Sequence, residues 1–155
     1  MVKSHPSDSK VQREIEKKIV QLISKELNIV FNENERVTTI EGVKFEFDFY
    51  HQEKKIIGEI YLGIDKKITA GPRKKVIADC FKLVYADKLL GNQCTKMLVF
   101  VDENTKENFE RNSWIAKAIK EYEIKIRVEK IEPSDMDELR DAKRQQQIGN
   151  KKANT

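Results

Sequence analysis

Two apolar stretches separated by His51 to Lys55 constrain this chain more than any other part of it. In the first, Val43, Phe45, Phe47 and Phe49 alternate with Lys44, Glu46, Asp48 and Tyr50. A period of two is the signature of a strand with one face in the core. The second, Ile56 to Leu62, is apolar on both faces apart from Glu59, as a strand in the middle of a sheet must be. A hairpin turning at Gln52-Glu53 sets Glu46 opposite Glu59 and Asp48 opposite Ile57. Asp48 and Glu59 are then diagonal neighbours on one face, about 7 Å apart at the backbone. A slip of one residue would send them to opposite faces, and the phenylalanine-rich face opposes that slip.

The flanking segments supply helices on either side of these strands. Val11, Ile15, Ile19, Leu22 and Ile23 recur at helical spacing, in a helix expected to start between Ser7 and Lys10 and to end near Asn28. Gln12 and Glu16 fall on or beside its apolar face, where a polar group needs a partner. Val37 to Ile40 is a short strand followed by a turn at Glu41-Gly42. After a loop from Gly63 to Gly71, Pro72 fits the first turn of a second helix running to about Leu90. Its core stripe is Val76, Cys80, Leu83 and Val84, while Lys75, Asp79 and Lys82 share another side. Lys96 to Val101 is a buried strand, and Glu107 to Tyr122 reads as one helix with Trp114 in the core beside Ile115, Ala118 and Ile119. Ile124, Ile126 and Val128 mark a last strand. A short charged helix is expected over Asp135 to Arg144, with a disordered remainder. The order predicts an α/β domain over residues 1–132, with one parallel crossover, and a charged C-terminal segment over 133–155.

Composition narrows the functional classes. At 155 residues and 39% hydrophobic, the chain can bury a sizeable core. It has no apolar run long enough to span a membrane. The polar start, Met1 to Lys10, argues against secretion. Cys80 and Cys94 have no metal-ligand spacing and read as thiols of a reducing cytoplasm. A net charge of +4 permits a polyanionic partner without requiring one.

The order αβββαβ, with Asp48 on the second strand and Glu59-Ile60-Tyr61 on the third, resembles the PD-(D/E)XK nuclease superfamily and its restriction-endonuclease-like fold. The resemblance covers about residues 8 to 102, leaving an extra helix and strand. It implies a nuclease hydrolysing phosphodiester bonds of DNA, or alternatively RNA, with Mg²⁺ (Mn²⁺ as substitute) held by Asp48 and Glu59 and completed by Glu16. Glu14 points further from the apolar stripe. The chain departs from the family at Tyr61, which stands where the motif lysine belongs, and at Phe47, where a proline often precedes the aspartate. Some members take the lysine from the following helix, which makes Lys75 the first candidate and Lys82 the second. Lys75 to Leu83 is also similar to that stretch in a group of small prokaryotic members. The family further implies a homodimer, since two sites cut two strands.

The chemistry is plausible without the resemblance. Facing carboxylates repel unless a cation compensates, and Mg²⁺ favours one or two carboxylates plus waters and phosphate oxygens. Lys66, Lys67, Arg73 and Lys74 follow the acidic pair closely and suit a nucleic-acid backbone. The plainer readings are a solvated sheet face for Asp48, an exposed helix face for Lys75 and Lys82, and a catalytically silent nuclease fold serving as a binding or assembly subunit.

Overall fold

The computed structural model describes residues 6–64 and 67–153. Five helices and five strands follow one another along these residues: α1 (Pro6–Leu27), β1 (Asn32–Thr38), β2 (Lys44–His51), β3 (Ile56–Tyr61), α2 (Ala70–Leu89), β4 (Thr95–Phe100), α3 (Glu103–Asn108), α4 (Trp114–Glu121), β5 (Ile124–Val128) and α5 (Pro133–Ala153). The strands form one mixed sheet in the order β1-β2-β3-β4-β5. β1, β2 and β3 are antiparallel neighbours, whereas β4 runs parallel to β3 and β5 parallel to β4. Both parallel steps use helices as crossovers, so the chain is of the α/β class.

Helices cover both faces. Ile15, Ile19 and Ile23 of α1 and Leu139 of α5 pack with Phe49, Ile56, Ile60 and Val99. On the other face, Val76 and Leu83 of α2 and Ile115 and Ile119 of α4 pack with Phe45, Phe47, Ile57 and Leu98. β3 is central and buried at every position, as its two-sided apolarity requires.

The β2–β3 register differs from the expected one. Phe49 pairs with Gly58, Tyr50 with Ile57 and His51 with Ile56, a shift of two residues that leaves every side chain on the same face of its strand. The turn is longer than two residues: Gln52 to Lys55 close it, with Lys55 at φ 52° and the His51 imidazole accepting from the Lys54 N–H at 3.0 Å. Gly58 is needed here because the Phe49 ring fills the space a Cβ would take. The phenylalanines are also divided. Phe45 and Phe47 join the α2-side core and Phe49 the α1-side core, so alternation breaks at Asp48, where the recorded β2–β3 pairing stops.

Three further expectations change. β1 begins at Asn32 and ends before Ile40, which is fully exposed in the turn closed by Gly42 at φ 84°. The helix expected over 107–122 is two, because Asp102 caps one by accepting from Thr105 N–H and Ser113 caps the other by accepting from Ala116 N–H. The C-terminal helix extends through Ala153, anchored on α1 by Leu139 and by the Lys18–Asp135 ion pair at 2.9 Å.

The α2–β4 connection holds a buried ion pair. Lys96 Nζ lies 2.9 Å from Asp87 Oδ2, while Asp87 Oδ1 accepts from the Cys94 N–H at 2.8 Å. Asp87→Ala would strand a buried ammonium and a backbone donor together. We expect a loss of about 3–5 kcal/mol in urea unfolding. A loss below about 1 kcal/mol would mean that the pair contributes little.

Candidate functional site

Glu59 is the one charged residue of β3, and it is 3% exposed. Central strands read as continuous apolar runs, so its charge must be met by neighbours. The Lys82 ammonium, reaching down from α2, makes an ion pair with Glu59 Oε1. Lys82 also donates to the Glu46 carbonyl at 2.9 Å and stands 5.9 Å above the Phe47 ring.

Asp48 is half-buried on β2. Its Oδ2 accepts the Ile60 N–H at 2.7 Å. A side-chain carboxylate therefore takes a backbone donor of β3 where the recorded pairing ends, and it ties Asp48 to the residue after Glu59. The two acids are close enough to affect one another. Burial, then repulsion from Asp48 and a hydrogen bond to it, push the Glu59 carboxyl up to about 9, with Lys82 opposing.

The field of Asp48 extends to both flanking helices. Glu16 of α1 is raised to about 7, by burial first and Asp48 second, against Lys75 and Arg13. Asp79 of α2 is also raised by burial, with Lys75 and Lys82 lowering it and Asp48 raising it. Asp79 was seen in the sequence only as a helix-face residue. The signal that could have found it is its spacing, four residues after Lys75 and three before Lys82, which puts all three on one stripe.

Tyr61 is a core residue. It is 6% exposed, meets Phe100 edge-on at 6.0 Å, and covers Gly63 so closely that a Cβ there would collide with it. Lys75 Nζ lies 6.0 Å from the centre of its ring. These residues border an open cleft of about 290 Å³ at the end of β3, walled by Gln12 and Glu16 of α1, Lys75 of α2, and Leu139 and Lys143 of α5. Lys143 and Gln12 had not been singled out for the site, Lys143 because its helix lies far away in sequence.

The structure thus brings Asp48, Glu59, Glu16, Lys75 and Lys82 around one end of β3. Glu14 is exposed on the outer side of α1. Lys67, Arg73 and Lys74 are exposed on the approach to and first turns of α2, and Lys66 lies outside the described residues. Among the described residues no three His, Cys, Asp or Glu side chains are arranged as a ready-made metal cage. No described helix is long and apolar enough to cross a membrane. Compared with known proteins, the chain matches no family model, no curated protein and no solved structure.

Carboxyls raised from 4.5 to about 7 and about 9 make folding pH-dependent in a defined direction. Their contribution is fully present below the unfolded value and is lost as pH rises through the folded values. Stability should therefore fall between about pH 5 and pH 9, and Glu59→Gln should remove the alkaline half of that fall. Denaturant unfolding at about pH 5, 7 and 9 tests this. An unchanged slope in the variant would show that Glu59 is not the group responsible.

Proposed function

We propose that this chain is a metal-dependent nuclease of the PD-(D/E)XK type, acting on DNA inside the cell. The observation that carries the reading is Glu59, an acid of the central strand raised by burial and then by Asp48, and met by the Lys82 ammonium. Carboxylates held this close relax when a divalent cation is bound, and Mg²⁺ is content with one or two of them plus waters and phosphate oxygens. The donor set fits such an ion, with Asp48 and Glu59 as ligands and Glu16 at the cleft wall. Bound there, Mg²⁺ would acidify a water and neutralise charge on the scissile phosphate.

The chain's own residues supply the rest. Asp48 is held against β3 by accepting the Ile60 N–H through Oδ2. Lys82 provides the ammonium that Tyr61 cannot. It ranks above Lys75, reversing the order expected from sequence, because it contacts Glu59 whereas Lys75 is over Tyr61. Lys75 and Lys143 border the cleft and suit a phosphate backbone. Exposed Lys67, Arg73 and Lys74 extend that basic approach, which makes binding salt-sensitive. A second reading, a nuclease fold that binds nucleic acid without cutting it, draws on the Lys82–Glu59 pair, where a lysine already compensates the buried acid.

Plasmid and short duplexes incubated with Mg²⁺ or Mn²⁺ decide between them. Asp48→Asn keeps the acceptor for Ile60 and Glu59→Gln keeps the packing, so each should fold and cut roughly 10²–10³-fold more slowly. Lys82→Ala should cost more activity than Lys75→Ala. Mn²⁺ should raise the melting temperature of the parent but not of Asp48→Asn. Cleavage surviving both acid substitutions would sink the nuclease assignment. Salt-sensitive binding with no cleavage under either metal would establish the second reading.

A further inference from the structure

The Lys82 ammonium is anchored by three groups: Glu59 Oε1, the Glu46 carbonyl at 2.9 Å and the Phe47 ring at 5.9 Å. They hold one positive charge against a carboxylate that a divalent ion would also need. A hydrogen-bonded ammonium stands about 2.7–2.9 Å from a carboxylate oxygen, and Mg²⁺ stands about 2.0–2.1 Å from one. Both on the same oxygen would be only about 4 Å apart. Around a residue that is 3% exposed, water does little to screen that repulsion. The ammonium and a divalent ion are therefore rivals for Glu59.

An ammonium that leaves a buried acid needs another partner, because an unpaired charge is unfavourable in such surroundings. Asp79 lies three residues before Lys82 on α2, at a spacing where side chains are neighbours. It is half-buried, and its carboxylate has no hydrogen bond or ion pair among the described residues. Its burial is opposed by the charges of Lys75 and then Lys82, so it already feels the Lys82 ammonium. Lys75, the other lysine of the stripe, is placed over the Tyr61 ring. We propose that Lys82 and a divalent cation compete for Glu59, and that Asp79 is a positioning residue that receives the Lys82 ammonium when the cation takes its place. The proposal rests on the reading of Asp48 and Glu59 as a metal site. It makes metal affinity depend on α2 as well as on the two acids.

Free Mn²⁺ gives an electron paramagnetic resonance signal that is lost on binding, so affinity can be read without nucleic acid or turnover. Lys82→Met should bind Mn²⁺ at least about tenfold more tightly than the parent, while cutting more slowly. Asp79→Asn should bind it more weakly than the parent. That weakening should shrink to within about twofold when Lys82→Met is also present, since no ammonium then needs a new partner. A plain loss of negative charge near the site would persist in the double variant, and that result overturns the role of Asp79. If the parent binds Mn²⁺ and Lys82→Met binds it no more tightly, the competition is overturned and the metal site stands. Absence of binding in parent and variant alike removes the metal reading and this proposal together. Circular dichroism checks folding. If Lys82→Met does not fold, Lys82→Gln replaces it and keeps a donor for the Glu46 carbonyl. If neither folds, acetylation of Lys82 in the parent decides, because its rate should change when Mn²⁺ is added and a constant rate overturns the competition.

Discussion

Much of this structure is arranged around one carboxyl group in the wrong place for stability. Glu59 sits in a strand whose every other side chain is apolar and whose neighbours on both sides are strands. Water cannot solvate it, so the protein must. Lys82 descends from α2 to meet it, and Asp48 stands close to it on β2. The position of α2 is set by Val76 and Leu83 against the same face of the sheet, and this packing aims the Lys75, Asp79 and Lys82 stripe at the acids. Burial of the helix and compensation of the charge are therefore one arrangement.

Asp48 has a second, mechanical part. By accepting the Ile60 N–H it substitutes for a backbone carbonyl in the β2–β3 ladder. Among the described residues β2–β3 pairing spans Phe49 to His51, and Phe45 and Phe47 pack towards α2 while Phe49 stays with α1. This is why the sequence could place the acids on one face and yet miss their register by two residues. Parity relates the faces of Asp48 and Tyr50 but fails between Phe47 and Phe49, which pack on opposite faces. Register depends on turn length and on Asp48 competing with the main chain, neither of which alternation contains.

The helices divide in the same way. The α2 stripe was legible because 3.6-residue spacing is local, and it identified both lysines and put Asp79 between them. Which of them meets Glu59 was not legible, since that depends on how α2 packs on the sheet. Lys143 was invisible because only the packing of α5 on α1 brings it to the cleft. Trp114 misled for a related reason. Its spacing with Ile115 and Ala118 suits a core position, but Ser113 caps α4 one residue earlier. That start turns Ile115 and Ile119 inward and leaves Trp114 on the outer rim.

A buried acid of this kind is poor evidence for stability and better evidence for use. Replacing buried ion pairs by apolar groups is often neutral or stabilising, and a leucine at 59 would extend an already apolar strand. Tyr61, two residues on, shows that this face of β3 accommodates a large ring packed against Phe100. A protein that can fill position 61 with an aromatic has no packing need for a glutamate at 59. The cost is concentrated in contact with an ammonium and near a second carboxylate. Strained electrostatics gather where charge is needed for chemistry, and here the strain, the cleft and the basic approach of α2 lie at one end of one strand.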